Sequence, residues 1–205
     1  MFNCRFTIYC RVACLRAATE KKGNDIKLAL HICCSICFQE PYRDLKASGF
    51  EITGLYYNPN IQPYSEYLLR LNALKSLVKN EKLTLLVPEN NEENYSDGFF
   101  FDRLKTRQDQ CTKCYTLRLK KTAEEAKLRS IKHFSTTLLG SPYQKHELII
   151  SIAAKLAGEH GLEFVHDPKW KDFYHKSKNN SRGLNLYSQK YCGCIYSKAD
   201  RKIEN

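Results

Sequence analysis

Hydrophobic and polar positions alternate along this chain in blocks that predict strands and helices in turn. Apolar runs of strand character lie at Lys27–Ile32, Phe50–Tyr57, Leu83–Val87, Phe134–Leu139 and Glu163–Val165. Helical patterns between them predict helices over Phe38–Ser48, Ser65–Lys79, Asn94–Leu104, Cys114–Leu128 and Gln144–Ala157. This alternation indicates βαβ units and an α/β fold with a mostly parallel sheet that is covered on both faces.

The pattern predicts one α/β domain over residues 27–205, preceded by an irregular N-terminal extension over residues 1–26. Arginines interrupt the apolar residues of the extension, so no signal-peptide core is present. No run of about 18 apolar residues occurs anywhere, so we expect no membrane span. The last forty residues lose the alternating rhythm and form a basic, aromatic C-terminal segment.

Charge and cysteine content narrow the kinds of partner and compartment. The formal net charge of +11 favours a polyanionic partner, because Lys and Arg that face phosphates gain from counterion release. A basic surface without a binding role explains the same charge. Ten cysteines in 205 residues fall mostly into tight clusters, which suits metal ligation or redox chemistry in the reducing cytoplasm better than structural disulfides.

Conspicuous motifs follow the predicted strands. Cys33-Cys34 comes directly after the first strand, Asn58-Pro59-Asn60 after the second, and Gly140–Gln144 after the fourth. Because functional sites of parallel sheets collect at the carboxyl ends of the strands, we expect these segments to meet at one edge.

The cysteine spacing predicts a metal centre. Cys111 and Cys114 form a CxxC motif directly before a predicted helix, where the helix dipole favours the thiolate. Cys33 and Cys34 supply a second pair. Adjacent cysteines suit separate corners of a 4Fe-4S cluster better than one zinc ion, although zinc and thiols without metal stay open. Cys37 is either a core cysteine or a ligand of a second metal.

Cys192 and Cys194 are separated by a single glycine. Two thiols at this spacing can close a small, strained disulfide, and strained disulfides are more easily reduced, which suits an electron relay. Two further metal ligands or inert thiols are the alternatives. The aromatic and basic residues around this motif suit unpaired nucleotides, and a solvated surface explains them nearly as well.

Five ordered motifs between Leu28 and Ser197 carry a resemblance to a known family. They are His31-Ile32-Cys33-Cys34-x-x-Cys37, Tyr57-Asn58-Pro59-Asn60-Ile61-x-Pro63-x-x-Glu66-Tyr67-x-x-Arg70, Cys111-x-x-Cys114-Tyr115-x-x-Arg118-Leu119, Thr136-Thr137-Leu138-Leu139-x-Ser141-Pro142-Tyr143-Gln144 and Gln189-x-Tyr191-Cys192-Gly193-Cys194-x-x-Ser197. Together they resemble the cobalamin-independent epoxyqueuosine reductase family, QueH. The resemblance implies a three-layer α/β/α fold similar to the adenine nucleotide α-hydrolases.

The resemblance also implies an activity and roles for residues. The activity is reduction of epoxyqueuosine to queuosine at the wobble position of tRNA. The 4Fe-4S ligands fall on Cys33, Cys34, Cys111 and Cys114, and the redox-active pair falls on Cys192 and Cys194. An additional iron ion beside the cluster points to Cys37. Ser35-Ile36 replaces the usual Ala-Pro, and the segment over residues 177–183 is less regular than the glycine-rich basic turn of the family.

The reaction requires two electrons and two protons, so a proton donor is expected near the cluster. Tyr57, Asn58 and Tyr143 follow strands and can donate a proton or hydrogen-bond the modified base, although tyrosines at strand ends are commonly packing residues. The physiological electron donor stays unidentified. No flavin or NAD fingerprint is present.

Two other functions stay open. The first is a zinc-stabilised RNA-binding protein without catalysis, which would contain neither iron nor sulfide. The second is a tRNA thiolation enzyme, which would be expected to carry an ATP-binding loop, and the sequence shows no such loop.

Overall fold

A single parallel sheet organises the part of the chain that the computed structural model describes, which is residues 9–11, 26–88 and 107–203. Its strands are β1 (Tyr9–Arg11), β2 (Ile26–His31), β3 (Phe50–Leu55), β4 (Thr84–Leu86), β5 (His133–Thr136) and β6 (Glu163–His166). They pair in parallel in the order β1–β6–β5–β2–β3–β4. The predicted parallel α/β sheet is confirmed.

Helices connect the strands and cover the sheet. The α-helices are α1 (Ser35–Ala47), α2 (Tyr64–Val78), α3 (Arg107–Leu128), α4 (His146–His160), α5 (Tyr174–Gly183) and α6 (Ile195–Ile203). Two 3-10 helices lie at Thr137–Gly140 and Pro168–Phe173. Helix α3 packs against α4, while α1 contacts α2 and α5. The result is the predicted three-layer α/β/α arrangement.

The core lies around β2, which has β3 on one side and β5 on the other. Leu28 and Leu30 of β2 are fully buried, and the ring centroids of Phe134 on β5 and Phe164 on β6 lie 5.2 Å apart. Because helices cover both faces of a parallel sheet, a central strand reads as a nearly continuous apolar run. This explains why β2 was predictable from sequence.

The N-terminal extension over residues 1–26 stays a prediction. Within it the structure describes β1, which lies at one edge of the sheet and pairs with β6. The remaining positions before residue 26, and the helix predicted over Asn94–Leu104, lie outside the described residues. No helix in the described ranges is both long and apolar enough to cross a membrane.

The strand predicted over Phe134–Leu139 is wrong in its second half. Strand β5 ends at Thr136, and a 3-10 helix begins at Thr137. The Thr136 hydroxyl accepts a hydrogen bond from the Leu138 backbone N–H at 3.2 Å. A threonine side chain that satisfies the backbone in this way offers the chain an alternative to the strand ladder.

Two helices begin three or more residues earlier than the sequence predicts. Helix α1 begins at Ser35 rather than Phe38, because the Cys34 side chain accepts a hydrogen bond from the Cys37 N–H and thereby caps the helix. Helix α3 begins at Arg107 rather than at Cys114. The CxxC motif therefore lies inside a helix, and the expected dipole effect of a helix start on Cys114 is wrong.

Gly140 sets how closely the 3-10 helix approaches α1. A Cβ atom at this position would lie 2.6 Å from the backbone oxygen of Cys37 and 3.3 Å from Pro41 Cγ. Since a backbone oxygen cannot move away without displacing α1, Gly140→Ala should lower the free energy of unfolding by about 1–3 kcal/mol. Urea titration of the two proteins measures this difference.

Gly158 in α4 is the matched control, because an added Cβ meets nothing within 4 Å. Gly158→Ala should raise the free energy of unfolding by about 0.5–1 kcal/mol, as is usual for alanine in a helix interior. Equal effects of the two substitutions would contradict the proposed contact between Gly140 and α1.

Candidate active site

Three thiols gather where β2 ends and α1 begins. The Sγ atoms of Cys33, Cys34 and Cys37 all lie within 4.8 Å of one another. A tetrahedral ion with Zn–S bonds near 2.3 Å places its sulfur ligands about 3.8 Å apart, so this group is close to the size that one ion requires. Soft thiolate ligands select zinc or iron rather than magnesium or calcium. The described residues therefore contain a candidate metal site.

Cys34 is the thiol of this group that favours the ionised form. Its Sγ accepts hydrogen bonds from the Cys37 N–H at 3.4 Å and from Gln189 Nε2 at 2.8 Å. Burial raises the pKa of Cys34, but hydrogen bonds from Cys33 and Cys37 and the positive charge of Arg70 outweigh burial and lower it. Hydrogen bonding to Cys34 in turn raises the pKa of Cys33. Of the three thiols, Cys34 therefore ionises most readily, and it lies at the start of α1.

Cys111 and Cys114 lie on α3, outside this three-thiol group. Cys114 is buried, and burial raises its pKa to about 12, with further contributions from Cys192, Cys194 and Cys111. The structure therefore brings two of the four predicted cluster ligands together with Cys37. Cys114 interacts electrostatically with Cys111, Cys192 and Cys194. The assignment of four ligands to one cluster stays a prediction.

Cys192 and Cys194 are free thiols in this structure. The Cys192 side chain is exposed, and its Sγ lies 3.5 Å from the amide nitrogen Nε2 of Gln144. The oxygen of the same amide accepts a hydrogen bond from the Tyr115 hydroxyl at 2.9 Å. Cys194 is half-buried, with its Sγ 3.4 Å from Ser197 Oγ. Their role as a redox-active pair stays a prediction.

A buried arginine on α2 holds the segment that carries these two cysteines. Arg70 donates from Nη1 to the carbonyl of Cys192 and from Nη2 to the carbonyl of Tyr191, both at 3.0 Å. Its Nε donates to Glu66 Oε1 at 2.8 Å, and the Tyr187 hydroxyl donates to the other oxygen of Glu66. The buried ion pair therefore connects helix α2 with two parts of the C-terminal segment.

The residue between the two cysteines must be glycine. Gly193 has a φ of +130°, and a Cβ atom would lie 3.0 Å from Ile61 Cγ1. Its carbonyl accepts a hydrogen bond from the Gln62 N–H at 2.8 Å. Close approach and a positive φ together leave no room for a side chain.

One cavity of about 510 Å³ connects these groups. Its walls combine thiols, cations and polar side chains from the strand ends with residues of the C-terminal segment. The lining residues are Cys33, Cys34, Cys37, Asn58, Ile61, Arg70, Arg118, Leu138, Ser141, Tyr143, Gln144, Tyr174, Lys178, Gln189, Lys190, Tyr191, Cys192, Ser197 and Asp200. The three-thiol group and Cys192 thus face one space, as expected for motifs that follow parallel strands.

The three candidate proton donors occupy different environments. Tyr143 lines the cavity and is 71% exposed. Asn58 also lines it but is buried, and its Nδ2 donates to the carbonyl of Ile32 at 2.8 Å. Tyr57 does not line the cavity. Burial raises the pKa of Tyr57, although the positive charge of Lys121 partly opposes this increase. Tyr143 is therefore the best placed of the three to meet a ligand.

Sequence reasoning assigned no role to three polar residues that line this cavity. Gln144 contacts Cys192, Gln189 contacts Cys34, and Arg118 is buried beside Asn58. All three stand inside the quoted motifs, four or fewer positions from another motif residue. Their position inside these motifs was the one sign of a role, because a single glutamine or arginine in a polar stretch is typical of the protein surface.

Comparison with known proteins identifies the family. The chain matches the family model described as "Epoxyqueuosine reductase QueH" over residues 28–200. The chain belongs to the epoxyqueuosine reductase QueH family. Membership confirms the resemblance carried by the five motifs, and it makes the protein an oxidoreductase.

The relatives that bear the name "Epoxyqueuosine reductase QueH" include the following three proteins. The protein of Dehalococcoides mccartyi is 34% identical over 176 residues, which cover 85% of this chain and 94% of the relative. That of Thermotoga maritima is 30% identical over 185 residues, which cover 84% of this chain and 91% of the relative. That of Helicobacter pylori is 34% identical over 194 residues, with 87% of this chain but only 51% of the relative covered. The chain thus spans nearly the whole of two QueH proteins and about half of the third.

Loss of the Arg70 side chain should strongly destabilise the fold. The Arg70 and Glu66 side chains are 3% and 9% exposed, so Arg70→Met leaves a buried carboxylate without its cation. Breaking a buried pair in this way costs about 3–5 kcal/mol of unfolding free energy. The control is Arg129→Met, which removes the more exposed pair with Glu125 on α3 and should cost less than about 1 kcal/mol. Urea titration gives both values, and similar losses would contradict the structural role of Arg70.

Proposed function

We propose that this protein reduces epoxyqueuosine to queuosine at the wobble position of tRNA. Family membership supports the reaction, since the relatives are named epoxyqueuosine reductases. The observation that carries the proposal is the shared cavity, in which a metal-competent group of thiols and Cys192 face the same space. The reaction requires a source of electrons, and thiols that can hold a redox-active metal beside an exposed cysteine can supply one.

The cysteines would hold an iron–sulfur centre. Cys33 and Cys34, together with Cys111 and Cys114, are the proposed 4Fe-4S ligands, and Cys37 would hold an additional iron ion. The close grouping of Cys33, Cys34 and Cys37 supports metal binding by all three. When bound, such a centre supplies single electrons, and a second ion supplies a Lewis acid for the epoxide oxygen.

Cys192 and Cys194 would supply the two electrons and two protons that the reaction consumes. Conversion of the epoxide to an alkene breaks two C–O bonds and releases the oxygen as water. This half-reaction consumes two electrons and two protons. Oxidation of the two thiols to a disulfide releases the same two electrons and two protons. Gly193 allows the two cysteines to lie close together, and an electron donor of unidentified nature then reduces the disulfide for the next turnover.

The entrance of the cavity suits a modified base on an RNA loop. Tyr143 is exposed there, and its ring packs edge-on against Tyr174 at 5.4 Å, which fixes its orientation. Lys178 and Lys190 also line the cavity. An exposed ring can stack on an unpaired base while the lysines attract the phosphates. Tyr143 is also our candidate for the proton donor to the departing oxygen.

The reaction can be tested with anaerobically reconstituted protein, epoxyqueuosine-containing tRNA and a small dithiol as the reductant, because a dithiol reduces a disulfide by exchange whereas dithionite would also reduce the metal centre directly. The wild-type protein should form queuosine. Cys192→Ser should reduce its formation at least 100-fold while iron and sulfide content stay unchanged, because Cys192 donates electrons but holds no metal. Cys34→Ser should lose both iron and activity. Product formation by Cys192→Ser at the wild-type rate would overturn its role, and no product from iron-loaded wild type would overturn the proposed reaction.

A zinc-stabilised RNA-binding protein without catalysis is the second candidate. It is favoured by one observation, since three Sγ atoms within 4.8 Å suit a single ion. Elemental analysis of protein purified without oxygen separates the two functions. Zinc without iron or sulfide would favour the binding protein, whereas iron and sulfide in similar amounts would favour the reductase.

A further inference from the structure

Arg118 is a buried cation with an incomplete set of partners. Arg118 lies on α3, lines the cavity and is only 2% exposed. Nε donates to the carbonyl of Cys114 at 3.2 Å, and Nη1 donates to Asn58 Oδ1 at 3.4 Å. Nη2 is enclosed and has no hydrogen-bond partner among the described residues. An enclosed charged donor without a partner is costly, so its place in the core requires a reason.

The other buried arginine shows what is missing. Arg70 pairs with the carboxylate of Glu66, whereas no carboxylate pairs with Arg118 within the described ranges. A buried arginine is always charged, and its desolvation is offset only by an anion nearby. The ionisable groups that interact electrostatically with Arg118 are instead Cys114, Cys192, Tyr115 and Cys33.

The position of Arg118 brings it to the cysteines. It lines the same cavity as Cys33, Cys34, Cys37 and Cys192. Arg118 is therefore a buried cation that faces these thiols from α3.

We propose that Arg118 is the counter-ion of the thiolate-held metal centre and favours its reduced state. The inference rests on the proposed function, because it requires that the cysteines bind a redox-active metal. Thiolate ligands give such a centre a negative charge, and each electron accepted from a reductant makes that charge one unit more negative. A fixed cation beside the cavity stabilises the reduced form more than the oxidised form.

Asn58 positions the guanidinium in this arrangement. Its Nδ2 is committed to the carbonyl of Ile32, which leaves Oδ1 to accept from Arg118. Ile32 directly precedes Cys33, so one short chain of hydrogen bonds connects the arginine with the metal-binding turn. In this arrangement Asn58 is a positioning residue for Arg118.

The midpoint potential of the reconstituted protein tests the inference. Wild type, Arg118→Met, Arg118→Lys and the surface control Arg129→Met are titrated with dithionite and followed by absorption and electron paramagnetic resonance. At a fixed potential, Arg118→Met should lower the ratio of reduced to oxidised centre at least tenfold, which corresponds to 59 mV for one electron. Arg118→Lys keeps the charge and should lie closer to wild type, while Arg129→Met should match wild type.

The outcomes separate the counter-ion inference from the proposed function. Wild-type protein that binds no iron and sulfide would overturn the metal centre on which the inference rests. Iron-loaded Arg118→Met with the wild-type midpoint potential would overturn the role of Arg118 alone. If Arg118→Met does not fold, Arg118→Gln replaces it, because the Gln amide can still donate to Asn58 without carrying a charge. The same tenfold shift is then expected.

Discussion

The exit of the central strand β2 determines the geometry of the site, because the chain passes from a strand into a helix with almost no loop. Ile32 donates to the carbonyl of Leu55 at 2.8 Å, and Cys33 donates to Thr137 Oγ1 at 3.0 Å. These bonds continue the pairing of β2 with its two neighbours past the strand end. Cys34 must then cap α1, and Cys37 follows one turn later on the same side. Three thiols meet because the backbone has no freedom to separate them.

Buried charge organises the wall of the cavity around these thiols. Arg70 lies between Glu66 and the carbonyls of the C-terminal segment, so its charge is satisfied by the protein itself. Arg118 lacks such an acid within the described part of the chain. The two arginines therefore represent different uses of the same residue, one for holding the fold together and one for the chemistry of the site. Both arginines line the same cavity, Arg70 from α2 and Arg118 from α3.

The sequence predicted the sheet well because burial on both faces leaves apolar runs that are hard to misread, as in β2 and β3. It failed where side chains compete with regular structure. Cysteine is an unusual helix cap, so the sequence pattern does not predict that α1 begins directly after Cys34, and it wrongly places a helix start at Cys114. Thr136 ended β5 early for a similar reason. Arg118 was overlooked as a functional residue because a charge on a polar helix indicates solvent exposure, and only the fold shows that this position is enclosed.

The hydrogen bond from Gln189 to Cys34 joins residues 155 positions apart, and that from Arg70 to Cys192 joins residues 122 positions apart. The three thiols, in contrast, lie within five consecutive positions. Contacts that close long loops carry a larger entropic cost and form later than local ones. The turn that carries the three thiols is therefore fixed mainly by local contacts. The hydrogen bond that brings Gln189 over Cys34 depends instead on contacts that span most of the chain.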